Sequence, residues 1–171
     1  MFENNTRIEY IFEKQLDGKD MMKRSGCIAL GVFALFITIT VPFIGILIGA
    51  ICGIAIYFIW PTTKVEYEYL YFDGELSIDK VFNKAKRKRA ASYDFKTAEV
   101  LAPGDNSEIR RAMNGKVVKD YSSGYSSDDK KMGAIVKGKK GTEVILLEKN
   151  TEIIEAIRAI KPLIVKYPQE W

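Results

Sequence analysis

The chain has 171 residues, with 26 lysines and arginines against 22 acids, a net charge of +4, and no histidine. The missing histidine removes the commonest general base and metal ligand, so zinc sites, Cys-His nucleophiles and Ser-His-Asp triads are excluded on composition. The modest positive charge suits an anionic membrane surface and is far from a nucleic-acid-binding profile.

Residues 1–24 read as an amphipathic N-terminal leader. Ile8, Ile11, Phe12 and Leu16 share one face of a short helix, and Asp17-Gly18 ends it. That face is expected either in the bilayer interface or docked on the downstream domain.

From Ser25 to Trp60 there is no Asp, Glu, Lys or Arg, although 28% of the chain is charged. A bilayer core needs roughly 20 apolar residues. This stretch is too long for one span at ordinary tilt. Pro42 lies near its middle, removes a backbone donor and biases Val41 away from helical geometry. The pattern predicts a two-helix transmembrane hairpin, about 24–41 and 44–60, turning at Pro42-Gly45. One kinked helix with partly buried ends is the alternative. A cleavable signal peptide fits less well, because the run is too long and no small-residue cleavage site follows it.

Gly45, Gly49 and Gly53 fall at four-residue spacing on the second arm, a pattern that lets helix backbones approach closely in lipid. They are expected to pack against the first arm or, alternatively, to form a homodimer face. Cys27 and Cys52 would sit at different depths of the hairpin, so a disulfide between them is not expected. Arg7, Lys14, Lys19, Lys23 and Arg24 precede the run, Lys64 follows it, and the turn is uncharged. The positive-inside bias therefore places both termini of a two-span cell-membrane protein in the cytoplasm.

Residues 61–171 are enough for one domain with its own core. Val65, Tyr67, Tyr69 and Tyr71 alternate along a strand, and Asp73-Gly74 favours a tight type I′ turn into a return strand carrying Leu76, Ile78 and Phe82. Next comes the densest charge run, Lys84, Lys86, Arg87, Lys88 and Arg89. Further strands are expected within 90–102, at Val117–Tyr121, and paired around Gly138-Lys139-Lys140-Gly141. A short helix capped at Asn106 or Ser107 runs to Met113. Ser122 to Lys131 reads as a polar, mobile loop. Asn150 or Thr151 caps a last helix with the stripe Ile153, Ile154, Ile157, Ile160 and Ile164, and Pro162 ends or kinks it.

The segment VEYEYLYFDGELSIDKVFNKAKRKR, following a two-span anchor, resembles a family of small bacterial two-span membrane proteins with a C-terminal pleckstrin-homology-like (PH-like) domain. It is similar, more loosely, to bacterial PH-like domains tethered to membranes. The close likeness covers about residues 25–102. It implies a membrane-anchored α+β architecture: an antiparallel β-barrel or sandwich closed by the C-terminal helix. It implies no reaction.

Three functional readings follow. Lys84, Lys86, Arg87, Lys88 and Arg89 are candidate lipid-headgroup contacts, since each basic residue near an anionic leaflet is worth on the order of 1 kcal/mol. Their bland reading is a solvated strand edge that blocks edge pairing. A protein-interaction module is the alternative, with Tyr121, Tyr125 and the serine loop as its surface. Enzyme function has the least support. Ser122, Ser123, Ser126 and Ser127 near Lys130 and Lys131 form an unspecific Ser-Lys arrangement, and Asp128-Asp129 is a poor cation site. No cofactor is expected.

Overall fold

The computed structural model describes residues 7–127, 130–138 and 141–166. The Asp128-Asp129 pair, Lys139 and Lys140 lie outside these described residues.

The largest departure from the sequence reading is at the N-terminus. Residues Ile8–Glu13 form strand β1, not a helix. Ile8, Tyr10 and Phe12 alternate with Glu9, Ile11 and Glu13, a period-two pattern that the spacing of Ile8, Ile11 and Phe12 had masked. A partner strand decides the matter: β1 pairs antiparallel with β2 (Val65–Phe72), Ile8 opposite Tyr71 and Glu13 opposite Glu66. The leader is therefore part of the domain, and the apolar hairpin is inserted between two neighbouring strands of one sheet.

Two apolar helices follow, α1 (Gly18–Thr40) and α2 (Pro42–Ile59), both long and apolar enough to cross a membrane. The first begins six residues before the expected Arg24. The break between them is the single residue Val41, narrower than the expected Pro42-Gly45 turn. Pro42 needs no turn of its own, because the first helical position has no intrahelical N–H bond to lose. The arms pack closely at Gly45, where an added Cβ would lie 2.2 Å from Thr38 Cα; Cys27 and Cys52 are free.

After a 3-10 turn at Trp60–Thr63, β2, β3 (Glu75–Phe82) and β4 (Lys86–Asp94) continue the first sheet in the order β1-β2-β3-β4. The Asp73-Gly74 turn has positive φ at both residues (46° and 85°), as type I′ requires. The second sheet has the order β5-β7-β8-β6, from β5 (Val100–Pro103), β6 (Val117–Asp120), β7 (Lys131–Gly138) and β8 (Gly141–Glu148). Strand β6 pairs parallel to β8, where an all-antiparallel arrangement was expected. The sheets form a sandwich and do not close into a barrel: β1 and β4 remain the edges of one, β5 and β6 of the other.

The main core lies between the sheets. Tyr67, Tyr69, Tyr71, Leu76, Ile78 and Tyr93 meet Leu101, Met132, Ala134, Val136, Ile145 and Leu147. Helix α4 (Thr151–Ile160), capped by Asn150, adds Ile153, Ile154 and Ile157 to this core. Ile160 is exposed, and Ile164 joins the core from the turn after Pro162 instead. A smaller cluster on the opposite face of the second sheet, Val100, Ala102, Ile135, Val144 and Leu146, is covered by Ile109 of α3 (Ser107–Met113).

Candidate functional site

Strand alternation splits the basic run. Lys84 lies in the β3–β4 turn with φ 57°, beside Asn83 at φ 49°. Lys86, Arg87, Lys88 and Arg89 lie on the exposed edge strand β4. Register puts Lys88 opposite Lys80 on the Tyr67 side of the sheet, and Arg87 opposite Val81 on the other.

The two arginines are committed to acids of their own sheet. Arg87 Nη1 is 3.2 Å from the buried Glu68 carboxylate, and Arg89 Nε donates to Asp79 Oδ1 at 2.7 Å. Among the described residues Lys84, Lys86 and Lys88 have no carboxylate partner. Lys80 stands over the Tyr67 ring, 5.5 Å from its centroid. Like charges facing across a ladder, as Lys80 and Lys88 do, are unfavourable unless an anion lies between them.

This cluster sits at a defined end of the sheet. Val65, Phe82 and Lys86 are register partners on adjacent strands, so the Lys86 backbone lies about 10 Å across the sheet from Val65. Val65 follows directly on the turn from α2. The Asn83 N–H donates to the Lys64 carbonyl, fixing the lysine turn beside the end of the hairpin.

The serine loop is not the mobile connector that its composition suggests, over its described part. Ser122 donates through Oγ and backbone N–H to Asp120, Ser123 N–H and Ser126 Oγ donate to the Glu148 carboxylate, and Ser123 carbonyl accepts from Gln15 N–H. Lys131 Nζ lies 3.3 Å from Asp120. These serine hydroxyls thus face carboxylates.

Beneath the loop, Tyr69 Oη donates to the Tyr121 carbonyl and accepts from Glu148 N–H, both at 2.9 Å, tying the sheets together. Burial raises the Tyr69 phenol well above its ordinary value, and it pushes Tyr67 and Tyr71 up to about 12. Tyr71 Oη is buried with no hydrogen-bond partner among the described residues.

Two clefts flank these groups. One, of about 430 Å³, opens between β4 and β6 over Tyr93 and contains the Lys119–Glu143 pair at 2.5 Å. The Glu143 carboxylate beside it raises the Lys119 ammonium above its usual range. The other, of about 200 Å³, lies where the hairpin joins the domain. In the hairpin itself, a Cβ added at Gly49 or Gly53 would meet nothing within 4 Å among the described residues, unlike one at Gly45, and both glycines border an open apolar groove. No group of three or more potential metal ligands occurs among the described residues.

The sequence reading missed the buried Glu68, which lies directly between Tyr67 and Tyr69. Alternation in Val65–Phe72 places it opposite the tyrosine face, so its position was legible while its burial was not. Arg24 and Thr63, 39 residues apart, carry no local signal of their contact.

No curated protein and no solved structure matches the chain. A family model does match, and it spans residues 4–167, taking in β1, the apolar hairpin and both sheets. The chain belongs to the family described as Bacterial PH-like domain (DUF6106).

Proposed function

We propose that this protein is a non-enzymatic, membrane-anchored binding or scaffold module. In this reading α1 and α2 cross the cell membrane, both termini face the cytoplasm, and the PH-like domain rests its lysine turn on anionic headgroups. One observation carries it: the hairpin leaves the first sheet at the same end as the β3–β4 turn, so anchoring the hairpin brings Lys84 and Lys86 to the headgroup layer. Lys84, Lys86 and Lys88 are the contacts; Arg87 and Arg89 are held by Glu68 and Asp79.

The test is a fluorophore at Asn83→Cys in a cysteine-free background, with the full chain in vesicles carrying a headgroup quencher. Quenching should rise when anionic lipid replaces neutral lipid and fall with added salt, since screening acts over about 8 Å at physiological ionic strength. Equal quenching on both surfaces rejects the contact.

The second reading is a protein partner docked along β4 and β6, favoured by the cleft between these two open sheet edges. Such a partner would be lost on narrowing that cleft, as by Ala91→Leu, and kept on replacing the three lysines.

A further inference from the structure

The cleft at the hairpin joint is lined by charges of both signs; Lys14 is held by Asp17 at 2.6 Å, and the others do not pair with each other. Arg24 is half-buried and fixed on two sides: its Nε donates to Thr63 Oγ1 at 2.9 Å, and its guanidinium carbon lies 5.4 Å from the Trp60 ring centroid. Thr63 is itself buried and donates to the Trp60 carbonyl, so the support is rigid. Among the described residues neither Nη of Arg24 has a partner, and Lys64, which also lines the cleft, has no carboxylate. A guanidinium immobilised with its fork open is the donor arrangement that takes a phosphate bidentately.

The same cleft is also lined by acids. Glu13 and Glu66 face each other in register across β1 and β2, and neither has an ion-pair partner among the described residues. Two carboxylates facing across a ladder repel, and a cation between them relieves that repulsion. Tyr125, 68% exposed, stands at the rim. One molecule that satisfies both sets of charge carries a phosphate and a primary ammonium close together.

We propose that this cleft binds the phosphoethanolamine headgroup of a membrane phospholipid: the phosphate on Arg24 and Lys64, the ammonium between Glu13 and Glu66. The lipid source follows from position. Trp60 ends the apolar hairpin, where aromatic residues mark the headgroup level, and the cleft begins at Thr63. The inference rests on the hairpin crossing the membrane, but not on the lysine turn contacting it.

The test uses the full chain, purified in detergent and followed by native mass spectrometry of lipid adducts. Short-chain phosphatidylethanolamine, phosphatidylcholine and phosphatidylglycerol are offered in equal amounts, with free phosphoethanolamine as a separate arm. Phosphatidylethanolamine should be retained about tenfold over the other two, because a trimethylammonium cannot donate hydrogen bonds and a glycerol carries no cation. Glu66→Gln should reduce that preference, Arg24→Gln should abolish retention, and replacing Lys84, Lys86 and Lys88 with Gln should leave both unchanged. Equal retention of the three lipids by the unaltered chain overturns the proposal, whatever the variants do. Free phosphoethanolamine bound as tightly as the lipid overturns the lipid source. A chain that stays soluble without detergent overturns the anchoring instead, and the phosphoethanolamine arm still reports on the cleft.

Discussion

The lysine turn can be isolated from the anchor, and its contribution then becomes measurable. Lys14 N–H donates to the Val65 carbonyl at 3.0 Å, so these positions already face each other across the β1–β2 ladder. A version of the chain in which Asn-Gly joins Lys14 directly to Val65 removes the hairpin and leaves β1 in the sheet, with a dipeptide suited to a tight turn. Removing residues 1–61 instead would delete β1 and expose Tyr67 and Tyr69. In the joined version, Lys84, Lys86 and Lys88 at about 1 kcal/mol each sum to about 3 kcal/mol, a partition onto anionic vesicles on the order of a hundredfold stronger than onto neutral ones. Lys88 stands two residues along the strand from Lys86, about 7 Å further, so this is an upper value. Vesicle flotation reads it. Replacing the three lysines with Gln should abolish the preference. The double change Arg89→Gln with Asp79→Asn, which keeps the net charge and removes only an exposed pair, should leave partition within about twofold. A lysine triple variant that floats like the parent, or an Arg89/Asp79 variant that loses as much, refutes the reasoning.

Three further outcomes are expected. Tyr69→Phe strands the Tyr121 carbonyl and the Glu148 N–H and should cost about 2 kcal/mol, lowering Tm by roughly 8 °C, whereas Tyr71→Phe deletes an unpartnered hydroxyl and should leave Tm unchanged or raised. Gly45→Val in detergent should destabilise the hairpin by about 1–3 kcal/mol because its Cβ meets the Thr38 backbone, while Gly49→Ala and Gly53→Ala, with open space around them, should be silent in thermal unfolding. Alkaline stability should fall between about pH 10 and 12: the unfolded tyrosines ionise first, near 10, while Tyr67 and Tyr71 hold their protons to about 12, so raising pH favours the unfolded chain. Unfolding curves should shift across that window, and less so in Tyr67→Phe; a flat response up to pH 12 would show the phenols are not held.

The elements legible in the sequence are those whose instructions are local. Asp73-Gly74 specifies its own turn, and β2 and β3 flank it with the expected Val65, Tyr67, Tyr69, Tyr71, Leu76, Ile78 and Phe82. Pro42 marks the break between the apolar arms, and Asn150 caps α4 as expected. Strand β1 was not legible because its partner lies beyond the whole hairpin, and six alternating residues without a visible partner resemble a short helix. The parallel β6–β8 pair has the same cause. In the basic run, composition gave five equivalent cations; the strand period makes them two sets, and the acids that claim Arg87 and Arg89 come from β2 and β3. The joint cleft depends on Arg24 of α1 meeting Thr63 after α2 and on Glu13 facing Glu66 across paired strands, neighbours that lie far apart in sequence.

The insertion of α1 and α2 between β1 and β2 also has a mechanical consequence. A domain on a single flexible tether swivels, and its binding faces sample every direction. Here two neighbouring strands leave the sheet together, through only Lys14–Asp17 on one side and Trp60–Lys64 on the other, with the Lys14–Val65 hydrogen bond, the Arg24–Thr63 contact and the Gln15–Ser123 hydrogen bond bracing the exit. Tilting the hairpin would therefore load the β1–β2 ladder in shear instead of turning a free joint.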